Sequence, residues 1–515
     1  MPFFDFHCHP GLKPQFSDPG LKNSVWDNIK AKLTITGNLT IGINKLFNEV
    51  LDSQANCSQL LEADVKMFGL VLHAPEQNIA TTLGDQGIVD RGRVELINKD
   101  RLNYIATGKH AFELINEELN WLLHSTPPAD TYKIKLLKQP ADFYETEANT
   151  IFGGLIIEGL HCFFDDPDAP DAKKTYLKNF RKFTKKHSVL AINVCHMQQN
   201  LFCNHAHGIQ FFNPSLFYPI GNSITDFGKE MIELMTQKNI LVDIKHMSLK
   251  ARLELYRTHK DPDEINTYLQ PLICTHAGTT GLSIADRCTY LYKVPEDKGP
   301  AFEVVYLKPA SRHFEKTYHN CSSINLYDED IENILLSGGI IGLSFDQRIL
   351  GFADETGLPG LTVPHDVEYV SQLEAAFFFG SQPAALPVWP DDTNVWSAED
   401  FEDLDQSLHI ETQRRFLANN IIHILWVAGK NKSIKITDAV KQICIGTDFD
   451  GLINAIDCCK TAIGLADLKK DIRHDMLKAL QNIEADELEV DELLDNIFYR
   501  NGRDFMLTRL RTFSG

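Results

Sequence analysis

Histidines and carboxylates follow several short apolar stretches of this sequence, and their residue types suit a metal site. The first stretch, Phe3 to Phe6, leads directly into a His-x-His pair, His7 and His9. Side chains two apart on a strand point to the same side, so both imidazoles can face one ion. Imidazole nitrogens and carboxylate oxygens are typical ligands of Zn²⁺ and similar divalent ions. The pair alone is a weak signal, and its other ligands have to come from elsewhere in the chain.

Five later apolar runs also end in a possible ligand or acid–base group. These groups are Glu158 with His161, then His196, His246, His276, and Asp448 with Asp450. A single histidine at a strand end is more often structural than a ligand. Structural polar groups, however, need not gather at the same end of every strand. Two metal ions sharing a bridging carboxylate would use about this set of side chains.

The elements that position these residues alternate between strands and helices. Eight apolar, β-branched runs predict buried parallel strands at 3–9, 65–74, 152–161, 189–196, 240–246, 272–276, 338–346 and 443–450. Helical spacing of apolar residues is clear between them, at 110–124, 223–239 and 328–339. This alternation predicts an α/β fold, a (β/α)₈ barrel of the TIM type, whose active site lies at the carboxyl ends of the strands.

The spacing of the eight runs is uneven. We interpret 20–60, 285–320 and 347–400 as insertions on barrel loops within a single barrel domain spanning 1–515. The alternative for 347–400, which is rich in Gly, Pro and aromatic residues, is a separate small domain. Acidic helices after residue 460 are expected to pack outside the barrel.

Composition narrows the possible partners and location. The net charge of −20 argues against nucleic acid, which needs basic surfaces. No secretory signal and no apolar run of about 18 residues is visible, so we expect a cytoplasmic protein without a membrane partner. The 11 cysteines have no framework spacing and are interpreted as mostly reduced thiols. Cys8, Cys162 and Cys195 are expected to point into the barrel wall.

Other histidines have less specific surroundings. His73 ends the second run and suits a supporting position behind the ligands. His205 and His207 lie in a Gly-bounded loop, where exposure to solvent is favoured over contact with a substrate. The sequence shows no nucleophilic Ser or Cys constellation and no P-loop.

The ordered motifs resemble the membrane (renal) dipeptidase family, peptidase M19, of the amidohydrolase superfamily. The matching features are His-x-His on the first strand, Glu158-Gly-x-His161, His196, VDIKHMS, ICTHAG and IGTDFDG. The resemblance covers roughly 150–280, 320–346 and 440–510. It implies a hydrolase that uses two divalent metal ions, with zinc expected, to cleave the amide bond of a dipeptide or a similar small substrate. It also implies a homodimer.

The resemblance further implies a role for each residue. His7 and His9 with Asp448 would bind one ion, His246 and His276 the other, and Glu158 would bridge them. A hydroxide between the ions would be the nucleophile. Asp448 would take its proton and pass it to the leaving amine. His196 would hydrogen-bond the substrate or the developing oxyanion.

Two departures from the family pattern leave alternatives open. His9 stands where the family usually has Asp, which makes the site one charge less negative. The family's substrate-binding Arg has only a candidate here, Arg287, with Arg312 behind it, because an insertion separates it from its usual neighbouring motif. The alternatives are an amidohydrolase acting on an N-acyl amino acid, a lactone or a phosphoester, and a catalytically inactive binding barrel.

Overall fold

A computed structural model describes most of the chain. The described residues are 1–17, 24–30, 50–85, 97–208, 214–261, 267–287, 289–293, 300–307, 311–315, 317–352, 365–379, 406–485 and 487–511. Parts of all three predicted insertions therefore lie outside the described residues. None of the described helices is long and apolar enough to span a bilayer.

Eight parallel strands form the barrel, as predicted. In their order around the sheet they are β1 (Phe3–Cys8), β2 (Val65–Leu72), β4 (Thr150–Ile157), β5 (Val189–Asn193), β6 (Leu241–Asp243), β7 (Ile273–Ala277), β10 (Ile340–Leu343) and β12 (Ile443–Ile445). Most of these strands end a few residues before the end of the corresponding apolar run. Most of the predicted site residues therefore stand in the loops that follow the strands, where side chains can turn toward one another.

The barrel closes between its first and last strands. The backbone N–H of His9 donates to the carbonyl of Phe449 at 2.9 Å, and the N–H of Asp448 donates to the carbonyl of His7 at 2.8 Å. These bonds continue the sheet just beyond β12, so the first and last groups of the predicted site become neighbours.

Helices lie between the strands. The three helices predicted from spacing are confirmed as Ala111–His124, Asp226–Gln237 and Asp328–Leu336. The Thr225 side chain caps the second of them by accepting from the N–H of Gly228. The other helices of eight or more residues are Gln77–Asp85, Lys99–Ala106, Ala172–Lys186, Leu249–Thr258, Gln372–Phe379, Gln406–Lys430, Leu465–Asn482 and Asn501–Arg511; shorter ones are Leu12–Gln15, Cys57–Glu62, Gln347–Leu350, Ile436–Ala439 and Val490–Asp495.

Four strands were not predicted. β3 (Lys133–Leu136) pairs in parallel with the first half of β4. β8 (Thr289–Lys293), β9 (Ala301–Leu307) and β11 (His365–Ser371) form a separate antiparallel sheet in the order β11-β9-β8. The second and third predicted insertions thus contribute strands to one small sheet, and the pairing of β11 with β9 is too distant along the chain to read from local spacing.

The inside of the barrel is filled by apolar side chains from all eight strands, among them Phe4, Phe6, Met67 and Phe152. Met506 from the helix Asn501–Arg511 packs into the same cluster. A Cβ on Gly154 of β4 would lie 2.5 Å from the Met506 sulfur, so a larger residue there would require the Met506 side chain to move. This helix therefore covers the amino end of the barrel.

Candidate active site

The side chains predicted as metal ligands meet at the carboxyl end of the barrel, around Glu158. The Glu158 carboxylate oxygens lie 3.4 Å from Nε2 of His7, 3.4 Å from Nε2 of His9 and 3.3 Å from Nε2 of His246. Nε2 of His276 is 3.7 Å away. One buried carboxylate thus touches four imidazoles that come from three different strand ends.

The remaining members complete a compact cluster. Nε2 of His7 is 3.0 Å from Nε2 of His9, and Nε2 of His246 is 3.2 Å from Nε2 of His276. Asp448 lies across from Glu158, with one oxygen 3.4 Å from His9 and the other 4.0 Å from His276. The histidines form two pairs, and each pair has carboxylate oxygens beside it.

A β-bulge in β1 turns His7 toward this cluster. Phe4 and Phe6 pack inside the barrel, so regular alternation would place His7 outside and Cys8 inside, whereas Cys8 packs in the outer core. Between Asp5 and Cys8, however, β1 advances by three residues while the paired strand β2 advances by only two, from Phe68 to Leu70. The extra residue re-aims the side chain.

Left-handed backbone conformations mark the loops that carry the site. His246 has φ +67° and Asp448 has φ +64°, and Gly159 directly after Glu158 has φ +99°. Such a conformation costs a non-glycine residue roughly 1 to 3 kcal/mol and persists only where the surroundings impose it. The chain turns sharply at these points. The turns aim the side chains of Glu158, His246 and Asp448, which are candidate ligands, into the mouth of the barrel.

Burial keeps most of the site's imidazoles neutral. It lowers the pKa of His9, His246 and His276 well below the ordinary histidine range. Neutral imidazole is the form that binds a metal ion, so these side chains need not lose a proton to do so.

The pKa values of the Glu158 and Asp448 carboxyl groups are shifted in opposite directions. Burial alone would raise the pKa of Glu158, but His196, His246 and His7 outweigh it and hold that pKa well below its usual range. Burial and the charge of Glu158 raise the pKa of Asp448 well above its usual range. The pair therefore combines a firmly ionised carboxylate with a carboxyl group that holds a proton readily.

A buried hydroxyl contacts two of the candidate ligand imidazoles. Thr275 Oγ1 lies 2.8 Å from Nδ1 of His7 and 3.2 Å from Nδ1 of His276, and it also hydrogen-bonds the carboxylate of Asp243. A partner on Nδ1 leaves Nε2 free to act as a ligand.

Replacing Thr275 by Val removes this hydroxyl at nearly constant volume. We expect Zn²⁺ affinity to fall by about 10- to 100-fold, as for other outer partners of ligating histidines. Competition with a chelating dye measures the affinity. Thr236→Val, in the helix Asp226–Gln237, is the matched control and should bind zinc like the unchanged protein. Equal affinity in both variants would disprove the orienting role.

His196 belongs to a second group beside the cluster. Its Nε2 lies 3.8 Å from Glu158, while its Nδ1 lies 2.7 Å from a carboxylate oxygen of Glu76. The other Glu76 oxygen is 3.1 Å from Nε2 of His73, whose Nδ1 contacts the Glu158 carbonyl at 3.0 Å. Sequence reasoning missed Glu76, although its place three residues after His73, beyond the end of β2, was a usable signal.

The cluster forms one wall of a cavity whose other walls are largely apolar. Glu158, His196, His246, His276 and Asp448 line it together with Lys245. The apolar lining residues are Leu12, Phe16, Val50, Leu51, Ile79, Leu83, Met197, Phe217, Ile324, Ile349 and Leu452. The site can therefore receive a small ligand that has an apolar portion and polar groups near the metal-ligand candidates.

The structure does not bring Arg287 to this cavity. Its guanidinium stacks on the rings of Phe378 and Phe379, 4.6 and 5.2 Å from their centroids. Arg312 stacks on Trp426 at 3.9 Å. Among the described residues, neither arginine lines the cavity, because the segments that carry them pack against aromatic side chains instead.

Two further expectations need correction. His205 and His207 are buried, at 1% and 2% exposure, because their loop folds under neighbouring segments rather than into solvent. Asp450 does not join Asp448 in the cluster, since its carboxylate pairs with Lys13 at 2.6 Å and accepts from the backbone of Gln54 and Ala55.

The cysteines behave as expected near the site. Cys8, Cys162 and Cys195 are free thiols buried in the outer core.

The donor set fits divalent metal ions. Among the described residues, five groups of side chains place their ligand atoms within 4.8 Å of one another. Three of them belong to the cluster, and they are His7 with His9 and Glu158, His7 with His276 and Asp448, and Glu158 with His196 and His246. The other two are His73 with Glu76 and His196, and His73 with His161 and Cys162. Neutral imidazoles and carboxylates in this number are a nitrogen and oxygen ligand set suited to zinc and similar ions.

Comparison with known proteins adds a likeness to solved structures. No family model and no curated protein matches the chain. A dipeptidase described as a metallopeptidase of family M19 is 12% identical over 99% of this chain and 98% of that chain, with a TM-score of 0.48. It belongs to the family that the motifs resemble.

Two further solved structures are similar. A metallopeptidase from Rhodobacter sphaeroides, liganded with a phosphinate mimic of the dipeptide L-Ala-D-Ala, is 13% identical over 99% of both chains, with a TM-score of 0.49. The probable dipeptidase PvdM from Pseudomonas aeruginosa is 13% identical over 94% of this chain and 96% of that chain, with a TM-score of 0.47. At these values the likeness carries no argument about activity, which has to rest on the residues of the site.

Proposed function

We propose that this chain is a metal-dependent hydrolase that cleaves an amide bond in a small, dipeptide-like substrate. The observation that carries the proposal is the meeting of Glu158, Asp448 and four histidines at the open end of the barrel, beside a cavity. A set of this size exceeds what one structural ion needs.

The residues divide naturally between two metal ions. His7, His9 and Asp448 would hold one ion, His246 and His276 the other, and Glu158 would contact both. The resemblance supports zinc as the ion and a homodimer as the assembly. We propose that residues 1–515 form a single hydrolase domain. Bound metal would polarise the scissile carbonyl and lower the pKa of water to near neutrality.

The protein's own groups would move protons and bind the developing charge. Asp448 is the proposed acid–base group, which takes a proton from the attacking water and returns it to the leaving nitrogen. His196 is the proposed donor to the carbonyl oxygen of the substrate as negative charge builds on it. Glu76, 2.7 Å from Nδ1 of His196, would keep that ring in position.

Metal removal tests the proposal directly. We expect purified protein to contain divalent metal, to hydrolyse dipeptides, to lose activity on dialysis against a chelator and to regain it with Zn²⁺ or Mn²⁺. Elemental analysis and a dipeptide assay measure these outcomes. A protein that binds no divalent metal would overturn the metal site, and a metal-loaded protein without amide hydrolysis would overturn the reaction.

A related hydrolase is the second candidate. Arg287 packs against Phe378 and Phe379 rather than in the cavity, which removes the arginine expected for an ordinary dipeptide and favours another small substrate. N-acyl amino acids, lactones and phosphoesters, assayed in parallel with dipeptides, separate the two candidates. An inactive binding barrel would hydrolyse none of them and would not need the full ligand set.

A further inference from the structure

Lys245 is a buried lysine without a carboxylate partner. Its side chain is 2% exposed, and its ammonium makes one hydrogen bond among the described residues, to the carbonyl of Ile324 at 3.2 Å. An ammonium has three N–H donors, so two remain available. Burying a charge is costly unless it is paired, so an unpaired lysine in this position calls for an explanation.

Two other cations that are equally buried show the usual solution. Lys13, also 2% exposed, pairs with Asp450 at 2.6 Å. Arg252, 1% exposed, pairs with Asp330 at 2.9 Å. Lys245 differs from both because no carboxylate in the described part of the chain lies within ion-pair distance of it.

The surroundings of Lys245 show where its partner would come from. Lys245 lines the cavity next to the cluster, and it directly precedes His246 in the sequence. Apolar side chains such as Phe16, Phe217 and Leu452 line other parts of the same cavity. A ligand that matches both the Lys245 ammonium and the apolar lining of the cavity would carry a negative group and an apolar substituent.

We propose that Lys245 binds the carboxylate of the substrate, which selects amides that bear a free carboxylate and an apolar side chain. This inference rests on the proposed function and deepens it. Charge-assisted hydrogen bonds from the ammonium would hold the carboxylate end while the amide lies at the cluster. Lys245 would then take the place that the missing arginine was expected to fill.

Steady-state kinetics on the metal-loaded enzyme tests the assignment. We compare a dipeptide with its C-terminal amide in the unchanged enzyme and in Lys245→Met and Lys245→Arg. For Lys245→Met we expect KM for the free carboxylate to rise by about 10- to 100-fold, as for loss of a charged hydrogen-bond partner, while the amide changes little. Lys245→Arg should recover part of the loss. An equal change for both substrates would overturn the proposal.

Calorimetry provides a readout that does not need catalysis. The apolar monocarboxylate 4-methylpentanoate should bind the unchanged protein more tightly than its primary amide, and Lys245→Met should abolish the difference. This result would support the anion site even if no amide were hydrolysed, so it separates failure of this proposal from failure of the proposed function. Equal binding of acid and amide by the unchanged protein would overturn it.

The paired lysine serves as the control for a purely structural role. Lys13→Met leaves Asp450 buried and unpaired, so we expect its thermal midpoint to fall clearly. Lys245→Met removes an unpaired charge, and its midpoint should stay level or rise. A loss of stability in Lys245→Met as large as that in Lys13→Met would show that Lys245 supports the fold instead.

Discussion

Replacing Glu158 by Gln is expected to abolish hydrolysis and metal binding together. The Glu158 carboxylate lies within 3.4 Å of three imidazoles, and the amide that replaces it carries no charge and offers only one oxygen. The loss in metal affinity should exceed the roughly 10- to 100-fold seen when only an outer hydrogen-bond partner is removed. Elemental analysis after dialysis and the dipeptide assay measure the two effects.

Glu368→Gln is the matched control for this change. Glu368 is as deeply buried as Glu158 but lies in β11, where it accepts from the backbone and side chain of Ser323. Its Gln variant should keep its metal and its activity. A Glu158→Gln protein that kept both would refute the assignment of Glu158 as the shared ligand.

Replacing Asp448 by Asn is expected to slow turnover even when the variant is saturated with Zn²⁺. If Asp448 carries the proton between water and leaving group, kcat should fall by about 10²- to 10⁴-fold, the usual contribution of a positioned acid–base group. Asn tolerates the left-handed backbone that this position requires at φ +64°. Comparison of kcat with metal content separates this loss from a loss of ligand.

The next aspartate along the chain, Asp450, provides the control. Asp450 has nearly the same backbone conformation, φ +65°, but pairs with Lys13. Asp450→Asn should therefore lower the free energy of unfolding and leave kcat nearly unchanged. If Asp448→Asn retained kcat within a few-fold, the acid–base role would have to belong to another group.

Much of the barrel was predictable because its signal is local. Buried parallel strands appear as apolar runs, and all eight runs correspond to strands. The ligand candidates were predictable for the same reason, since polar residues that end such runs must share one end of the barrel. The pairing of β11 with β9 in the small sheet was not predictable, because it joins segments far apart along the chain.

Local spacing was less reliable for individual side chains. Alternation along β1 is interrupted by the bulge between Asp5 and Cys8, and a bulge depends on the neighbouring strand. The burial of His205 and His207, and the stacking of Arg287 on Phe378, depend on segments that fold over them. These are tertiary effects, which cannot be predicted from residue type and local spacing.

The sequence by itself determined the strands, their parallel arrangement and the candidates that end them, because each of these follows from apolar periodicity over a few residues. Only the tertiary structure decided which polar side chains share the cavity. It placed Glu76 on His196, separated Asp450 from Asp448, and left Lys245 unpaired beside the cluster. The physical reason is that a charge or hydrogen bond is satisfied by whatever lies within about 3 Å in space, and chain order does not give that distance.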